Sequence, residues 1–360
     1  MIDIKEIGVV IATTADLIAD KLKAIVEPLP IIVKKVPHNK EQMIDQIKRT
    51  KPDVVLLDVA LIEEDDEIIT EIVMLLNIPL IILSSGTVHH TAKTVNAITN
   101  GASDFILYDN LDSPYYQDEV INKILHVAAS LTVNGQKKST IQLEKNREQK
   151  PPSTMKRKKK ASIGVKLPFD SIVAIGTSTG GPKALQIVLS SLPKTFPAPI
   201  VIVQHMPSGF TKSLADRLDN ICRIRVKEAV DGEKLKPATA YIAPGNYHMI
   251  VNRQYEITTF IGAERGGHRP SVNTLFESVA ELEEVNKLAI ILTGMGKDGA
   301  IGVRKMKEKD KDTIVIVESE ETAVIHGMPK AAIQTGCVTE VVRLEHIGER
   351  IIHHIMKRGK

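Results

Sequence analysis

Three residues that could form a hydrolytic triad each come after an apolar run in the second half of the sequence. Ser178 follows SIVAIG closely, His205 follows IVIVQ, and Asp298 comes shortly after AIILTG. Apolar runs of this length, separated by helical segments, are typical of buried parallel strands, and sites in such sheets form beyond the carboxyl ends of the strands. The sequence therefore predicts that a hydroxyl, an imidazole and a carboxylate meet at one edge of a sheet, as serine nucleophilic catalysis requires.

The stretch IGTSTGGPK around Ser178 fits G-x-S-x-G, a strand–turn–helix pattern that exposes a serine. Its glycines allow a tight turn, and Pro182 suits the first turn of the following helix. Gly176 and Gly181 also have the spacing of a P-loop, but Pro182 and Lys183 stand where that loop needs lysine and then serine or threonine. A nucleophile turn is favoured, while an anion-binding loop and a purely structural turn stay open.

The histidine partner of Ser178 is not decided by chain order. The triad could be Ser178, His205 and Asp298 or, in the order of the α/β-hydrolases, Ser178, Asp298 and His326. His268 in GGHRPS is a further candidate, and any of these histidines could instead be a packed or capping residue. Asp298 could likewise be a cap of the helix that AIGVRKMKEK predicts.

The glycines at 294, 296 and 299 allow a different interpretation of the same loop. They match the dinucleotide fingerprint G-x-G-x-x-G after an apolar run, and Glu318 ends the next predicted strand. A single match to this fingerprint is weak, and backbone amides of the loop could equally form an oxyanion hole. A nucleotide-binding module is therefore a rival to the hydrolase.

Apolar runs alternate with helical segments through both halves of the chain, which predicts an α/β fold with two doubly wound parallel sheets. The first half, with runs such as PDVVLLDV and PLIILSS, has the length of a five-stranded, flavodoxin-like domain. The second half predicts a Rossmann-like domain, and TAYIAPGNYHMIVNRQYEITTF alternates around Pro-Gly-Asn as a β-hairpin does. We predict domains at 1–130 and 168–356, joined by a linker at 131–167.

The predicted linker carries the basic character of the chain. Residues 131–168 have a local net charge of +9, which leaves −6 for the rest of a chain whose total is +3. The segment contains Pro-Pro and KRKKK and has little apolar periodicity, so we expect a flexible tether. A nucleic-acid or acidic-membrane patch is disfavoured because no aromatic residue is interleaved to stack bases. Docking on an acidic protein is a lesser alternative.

Composition and cysteine content narrow the class of protein further. Hydrophobic residues make up 43% and charged residues 25% of the chain, as in globular proteins. No apolar run reaches the ~18 residues that span a bilayer, and the N-terminus begins like a strand rather than a signal peptide. Cys222 and Cys337 form no CxxC or Cys/His cluster, so neither a zinc site nor a disulfide framework is expected. We predict a cytoplasmic enzyme or regulator.

Residues 171–352 closely resemble the catalytic domain of bacterial chemotaxis receptor protein-glutamate methylesterases. The resemblance rests on six motifs in the family's order: GTSTGGPKAL, VIVQHMPSGFTKSLADRL, YIAPGNYHM, HRPSVNTLFESVA, LTGMGKDGAIG and ETAVIHGMPKAAI. It implies that Ser178 is the nucleophile, His205 the base and Asp298 the residue that orients the histidine. It also implies a supporting or structural role for His326.

The resemblance carries expectations about substrate and partners. Members of the family hydrolyse γ-methyl glutamyl esters on the cytoplasmic helices of chemoreceptors without a cofactor, and many deamidate receptor glutamines. The backbone of Met295 and the turn at Thr179 are the implied oxyanion donors, and Arg269 is either substrate-facing or a surface ion pair. The implied partners are methyl-accepting chemoreceptors and a chemotaxis histidine kinase, with no nucleic acid and no membrane insertion. A non-catalytic chemotaxis adaptor is the alternative.

Residues 4–128 resemble the response-regulator receiver domain that precedes the esterase in this family. PDVVLLDV matches the phosphoacceptor strand and makes Asp58 the candidate phosphoacceptor, while PLIILSS places Ser84 at the switch hydroxyl. In relatives the receiver covers the esterase site until phosphorylation relieves it. The resemblance therefore implies a regulatory first domain.

This receiver departs from the family at the groups that handle phosphate. Thr13 and Thr14 stand where receivers carry an acidic pair for magnesium, and Tyr108 stands where they carry a lysine. Phosphoryl transfer to Asp58 needs positive charge around the phosphate oxygens. The acidic run at 63–67 is interpreted as a solvated loop rather than a replacement. We predict a degenerate receiver with weak or absent phosphorylation, controlled by interface packing or another partner.

Overall fold

The computed structural model describes residues 6–27, 29, 31–35, 40–62, 67–136 and 167–358. Residues 137–166 of the predicted linker and 63–66 of the acidic run lie outside this part of the chain. The described residues form two parallel sheets, one in each half of the sequence, and a separate two-stranded hairpin. None of the helices in these ranges has both the length and the apolar character needed to cross a membrane.

The first sheet contains five parallel strands in the order β2-β1-β3-β4-β5. Its strands and helices are β1 Ile7–Ala12, α1 Asp16–Val26, β2 Ile31–Lys35, α2 Lys40–Thr50, β3 Val54–Asp58, α3 Glu67–Thr70, β4 Leu80–Ser84, α4 Val88–Thr99, β5 Asp104–Leu107 and α5 Pro114–Gln136. Strands β3, β4 and β5 are buried along their whole length because helices cover both faces of the sheet. The strand order is that of the flavodoxin-like class, as predicted.

The second half forms a seven-stranded, all-parallel sheet in the order β14-β13-β12-β6-β7-β9-β8. Its strands are β6 Ser171–Thr177, β7 Ile200–Gln204, β8 Arg225–Glu228, β9 Thr239–Ile242, β12 Asn286–Ile291, β13 Ile314–Glu318 and β14 Glu340–Val342, and the hairpin strands are β10 His248–Val251 and β11 Ile257–Phe260. Its helices are α6 Gly181–Ser190, α7 Phe210–Ile221, α8 Val272–Ala280, α9 Ala300–Lys309, α10 Gly327–Gln334 and α11 Leu344–Arg358.

The topology of this sheet determines where a site can form. Strand β6 lies between β7 and β12, so the chain leaves β6 at the point where the strand order reverses. The loops after these three strands carry Ser178, His205 and Asp298 respectively. The three candidate triad residues are therefore carried to the same edge of the sheet.

The predicted hairpin is present, but its turn was wrongly placed at Pro-Gly-Asn. The segment TAYI is β9, which pairs in parallel with β7 on one side and β8 on the other, and its residues 240–242 are buried. Pro244 and Gly245 only connect β9 to the hairpin, and a Cβ at Gly245 would lie 2.3 Å from the backbone of Pro207. The antiparallel turn comes later, between β10 and β11 at residues 252–256.

The two halves pack against each other through an apolar interface. Helix α4 lies against α6 and α7, and one cluster of buried apolar side chains continues from the first sheet into the second. The ring of Phe105 on β5 stacks on Phe210 at the start of α7, with centroids 4.6 Å apart. The Gly180 N–H donates to the Ser103 carbonyl at 3.2 Å. The edge of the first sheet thus lies over the nucleophile turn.

Candidate active site

Ser178 lies on a tight turn between β6 and α6. Gly180 has φ 79°, a left-handed conformation that favours glycine, and a Cβ at Gly181 would lie 2.0 Å from Gln204 Oε1. The Ser178 N–H donates to the Thr293 carbonyl at 3.1 Å, and its carbonyl accepts from the Gly181 N–H at 2.8 Å. This turn leaves the serine half-buried at a helix N-terminus, where N–H groups favour negative charge.

The carboxylate of Asp298 is held by the imidazole and by a helix N-terminus. His205 Nε2 lies 2.9 Å from Asp298 Oδ2. The Ser271 hydroxyl donates to Oδ1 at 3.0 Å, and the N–H groups of Val272 and Asn273 on α8 donate at 2.6 and 3.0 Å. Burial alone would raise the pKa of Asp298, but these hydrogen bonds and the charge of His205 bring it down to about 2. Asp298 is therefore ionised at neutral pH.

His205 joins Asp298 to the nucleophile turn. Its backbone N–H donates to the Thr177 carbonyl at 3.1 Å, which places the end of β7 beside the end of β6. Its Nδ1 is buried and has no hydrogen-bond partner within the described ranges, and Ser178 lines the same cavity as His205. In this structure Nε2 is thus used for the carboxylate, and Nδ1 is the nitrogen left to act on Ser178.

His268 packs directly on the candidate base. Its ring is stacked on His205 with centroids 3.8 Å apart and an interplanar angle of 12°. Burial and the neighbouring His205 lower the pKa of His268 to about 4, although Asp298 acts in the opposite direction. His268 is therefore neutral near pH 7 and covers one face of the His205 ring without adding a second positive charge.

The structure does not place His326 against Asp298. His326 is the N-cap of α10, and its backbone bridges Gly294 in the loop after β12. Arg269 lines the cavity, and its Nη1 donates to the Gly262 carbonyl at 2.6 Å. Arg269 forms no ion pair within the described part of the chain, so the surface ion pair considered from the sequence is not found.

The proposed oxyanion donors belong to residues that line the same cavity as Ser178. The backbone N–H groups of Thr179 and Met295 donate to no acceptor among residues 6–136 and 167–358 as far as these are described. The loop that carries Met295 is pinned on both sides, because the Gly294 N–H donates to Ile325 and the Gly294 carbonyl accepts from Met328, each at 2.9 Å. Two backbone donors are thus available beside the nucleophile.

The glycine loop after β12 does not fit the dinucleotide alternative. Gly296 and Gly299 have positive φ, but the Gly299 N–H donates to Asn273 Oδ1 at 3.1 Å instead of being open to a ligand. Glu318, the acid that would bind ribose, has 0% exposed surface and accepts a hydrogen bond from the Thr293 N–H at 2.8 Å. The loop therefore serves the site formed with α8.

A cavity of about 630 Å³ lies between the two halves and contains Ser178 and His205. The first half contributes Asp104 to its lining, and the Thr179 hydroxyl donates to Asp104 Oδ2 at 2.5 Å. Lys123 on α5 lies 3.6 Å from Asp104 and 3.1 Å from Glu119. Burial alone would lower the pKa of Lys123, but these two carboxylates raise it above its usual range. The first half thus contributes charged side chains to the lining of the cavity that holds the candidate nucleophile.

The comparisons with known proteins agree on one family. A family model described as CheB methylesterase matches residues 173–351. The protein-glutamate methylesterase/protein-glutamine glutaminase of Oceanobacillus iheyensis is 42% identical over 89% of this chain and 90% of its own, and that of Bacillus subtilis is 37% identical over the same shares. The chain belongs to the protein-glutamate methylesterase/protein-glutamine glutaminase family. The CheB methylesterase catalytic domain of Thermotoga maritima is 45% identical, covers 51% of this chain and 98% of its own, and has a TM-score of 0.49.

In the first half of this methylesterase-family chain, Asp58 accepts hydrogen bonds from one threonine hydroxyl and one backbone N–H. It is buried at the end of β3, where Thr13 donates to Oδ2 at 2.6 Å and the Ala60 N–H donates to Oδ1 at 3.1 Å. Ser84 is also buried and accepts a hydrogen bond from Thr94 at 2.7 Å. Both oxygens of the candidate phosphoacceptor are therefore occupied by neutral donors.

The magnesium ion that a receiver fold implies does not fit these residues. Thr13 already binds Asp58, and Thr14 is exposed on the following turn. No group of three or more His, Cys, Asp or Glu side chains that could hold a metal ion occurs among the residues with described positions. Burial, with the charges of Asp58 and Asp109, raises the pKa of Tyr108, so this phenol stays neutral near pH 7; a phenol cannot supply the positive charge of a lysine at any pH. The methylesterase family's receiver chemistry lacks its usual ligands here.

Sequence reasoning missed three residues of the methylesterase site. Asp104 lay within GASDFIL, which indicated only a strand, and Lys123 lay on an amphipathic helix. Ser271, the N-cap of α8, donates to Asp298 and was visible in HRPSVNTL as a serine before a helical segment. Asp104 could not be found from local patterns because its partner Thr179 belongs to the other half of the chain, and Lys123 reaches the site only through Asp104.

Proposed function

We propose that this chain hydrolyses γ-methyl esters of glutamate on the cytoplasmic helices of chemoreceptors and deamidates specific glutamines there, which resets receptor signalling during chemotactic adaptation. The proposal rests on the pairing of His205 with Asp298 beside Ser178 at the carboxyl edge of β6, β7 and β12. The relatives named above carry both activities in their names. One site serves for both reactions because each begins with attack on a side-chain carbonyl carbon.

Acylation uses the two partners of Ser178 in turn. The serine oxygen forms a bond to the carbonyl carbon while His205 accepts the hydroxyl proton, and the carbonyl electron pair moves onto oxygen. Asp298 orients the imidazole and stabilises the imidazolium. When the tetrahedral intermediate collapses, the bond to the methoxy oxygen breaks, and His205 returns its proton so that methanol leaves.

Deacylation repeats these steps with water as the nucleophile. His205 takes a proton from water, the new bond forms at the same carbonyl carbon, and the Ser178 oxygen leaves with the proton that His205 held. The product is a glutamate side chain. For glutamine the first leaving group is ammonia, again protonated by His205.

The negative charge of the intermediate needs fixed donors. The backbone N–H groups of Met295 and Thr179 are the proposed donors, and the N-terminus of α6 adds its partial positive charge. Neither N–H group has to break an existing hydrogen bond before it meets the oxyanion. Loss of one such donor in serine hydrolases lowers kcat by about 10²–10³.

The proposed partners follow from the reaction. The substrate is a protein side chain on a chemoreceptor helix, the proposed compartment is the cytoplasm, and the hydrolysis needs no cofactor. A chemotaxis histidine kinase is the partner that a working receiver would have. The adaptor alternative gives no reason for a buried, ionised Asp298 against His205, and ester turnover with purified receptor separates the two functions.

We further propose that Asp58 acts as a structural hydrogen-bond acceptor instead of a phosphoacceptor. Thr13 and the Ala60 N–H already occupy both of its oxygens, and no cation is supplied at Tyr108. A phosphoryl group at this position would meet hydroxyls and a phenol where its charge needs metal or lysine. Control of the esterase then falls to the interface between the halves.

The mechanism predicts that Ser178→Ala abolishes methanol release from methylated receptor, with a fall of about 10⁴-fold or more. The variant should fold, because the backbone of the turn makes its hydrogen bonds without the hydroxyl. Ser190→Ala, at the far end of the helix α6 that follows this turn, is the matched control and should retain the activity. Turnover by a folded Ser178→Ala protein at more than a few per cent of the wild-type rate would contradict the mechanism.

A further inference from the structure

Glu318 is a buried carboxyl that the mechanism above does not use. It is the last residue of β13 and has 0% exposed surface. Its Oε2 accepts a hydrogen bond from the Thr293 N–H at 2.8 Å, while its Oε1 has no hydrogen-bond partner of normal geometry in the described part of the chain. A buried carboxylate is usually stabilised by two or three donors, so this surrounding suits the neutral acid better than the ion.

Thr293, the partner of Glu318, holds the nucleophile turn on every side. Its carbonyl accepts hydrogen bonds from the Ser178 N–H at 3.1 Å and from the Thr177 hydroxyl at 2.8 Å. Its own hydroxyl donates to the Thr179 carbonyl at 2.9 Å. Three consecutive residues, with the nucleophile in the middle, are thus bound to one threonine.

Thr293 is also the first residue of the loop that supplies an oxyanion donor. Gly294 and Met295 follow it directly, and the Thr293 hydroxyl accepts a hydrogen bond from the Ile325 N–H at 3.0 Å. The remaining polar group of Thr293, its N–H, is bound to Glu318. Glu318 therefore fixes one end of the segment on which both the serine and the Met295 N–H depend.

We propose that Glu318 is a positioning residue for the reaction: as a neutral carboxyl it holds Thr293, and through Thr293 the turn of Ser178 and the oxyanion loop, and its ionisation slows the reaction. The inference rests on the proposed function of the same site. It adds a titratable group that touches neither substrate nor the reacting atoms.

The charged groups around Glu318 favour the neutral form. Burial raises its pKa to about 7, the Thr293 N–H and the Thr322 hydroxyl act in the opposite direction, and Glu345 on α11 raises it as a like charge. Arg343, which lies between β14 and α11, is paired with Glu345. On the other neighbouring elements, Glu340 of β14 is paired with Arg350 and His354, and His326 caps α10. No cation in the described ranges forms an ion pair with Glu318.

Ionisation of Glu318 would place a negative charge behind the loop of Met295, which must stabilise the negative charge of the tetrahedral intermediate. In a protein interior of effective dielectric constant about 20, a like charge roughly 10 Å away slows a step that develops an anion by about tenfold, and the nearby imidazolium reduces this to several-fold. The ion would also require more donors than the Thr293 N–H and the Thr322 hydroxyl, so we expect Thr293 to shift from its present position. Both effects slow acylation.

The test compares Glu318→Gln with the wild type from pH 6 to pH 8.5, using methanol release from methylated receptor and the rate at which a fluorophosphonate labels Ser178. Glutamine keeps an acceptor for the Thr293 N–H but cannot ionise. The variant-to-wild-type ratio cancels the pH dependence that the two proteins share, and it should rise about fivefold over this range with a midpoint near pH 7. Glu321→Gln, an exposed glutamate of the same segment, is the control and should give a flat ratio.

A flat ratio for a folded Glu318→Gln protein would overturn the inference. If that variant does not fold, carboxyl ¹³C NMR of the wild type decides, because a glutamate with a midpoint near pH 7 is expected and its absence overturns the proposal equally. Failure of the proposed function is distinguishable from both. A wild type that is labelled at Ser178 but releases no methanol would refute the receptor substrate, while the labelling ratio still reports on Glu318.

Discussion

At the scale of single residues, the site depends on how Asp298 is held. Three donors from the start of α8 fix its carboxylate before the imidazole is counted, so the orientation of His205 follows from a rigid element. The sequence indicated Asp298 from its place after a strand and allowed it to be a helix cap. The structure instead shows it accepting from the N-terminus of another helix, a contact that the local pattern around residue 298 could not reveal.

The choice of histidine leads to the first prediction at this scale. His205→Ala should lower methanol release by about 10⁴-fold, because it removes the base, whereas His326→Ala should lower it less than about tenfold, because His326 lies at the N-cap of α10 and is not paired with Asp298. The two variants are compared in the same receptor assay. A dead His326→Ala protein beside an active His205→Ala protein would assign the triad in the α/β-hydrolase order.

Glu318 predicts a pH dependence of folding stability. The pKa of Glu318 is about 7 in the folded chain, against an ordinary value of 4.5 in the unfolded chain. Its contribution to the free energy of unfolding is therefore fully present below pH 4.5 and is lost as pH rises through about 7. The loss amounts to about 3 kcal/mol of the free energy of unfolding. Urea denaturation at pH 4.5 and pH 8 should show that Glu318→Gln is less sensitive to this rise than the wild type. An identical pH dependence would mean that Glu318 ionises normally.

At the scale of elements, long apolar runs predicted their strands correctly and weak ones did not. Strands β3, β4, β6, β7 and β12 follow from runs that are buried on both faces. Strand β2, IIVKK, is a partly exposed edge strand, and α2 buries only Met43, Ile44 and Ile47, so neither stood out from its surroundings. The misplaced hairpin turn has a similar origin, because β9 alternates like a hairpin strand but is paired within the parallel sheet.

The residues at the ends of β1, β3 and β5, which include Thr13, Asp58 and Tyr108, predict that the receiver is not phosphorylated. Acetyl phosphate or a chemotaxis histidine kinase should label the chain no more than it labels Asp58→Asn, because the phosphoryl group would find neither metal ligands nor lysine. Mass spectrometry of the intact protein or ³²P transfer measures the label. A label that disappears on Asp58→Asn would show that this receiver still functions.

At the scale of the whole molecule, residues of both halves line the cavity that holds Ser178 and His205. The fold of each half could be predicted from periodicity, but the contact between them could not, because it joins residues more than 70 positions apart through side chains that look ordinary in isolation. Asp104 touches the residue next to the nucleophile, and Phe105 beside it stacks on α7. We expect this contact to limit the access of the proposed receptor helix to Ser178.

Loosening of the contact between Asp104 and Thr179 gives the prediction at this scale. Asp104→Ala removes the hydrogen bond to Thr179 and leaves Lys123 with one carboxylate fewer, so methanol release from receptor should rise several-fold. Asp112→Ala, which removes an exposed ion pair with Lys21 in the same half, is the control and should leave the rate unchanged. Equal rates for the two variants would show that the Asp104 contact does not limit access of the receptor.

The apolar cluster that runs from the first sheet through α4 into α6 and α7 also bears on how the chain melts. Two separate cores would give two heat-absorption transitions. With a shared core, unfolding of one half exposes apolar side chains of the other half to water and destabilises it. The halves are therefore expected to denature cooperatively, with a single transition temperature. Mutations in the first half, far from the triad, would then decide at what temperature the enzyme loses its activity.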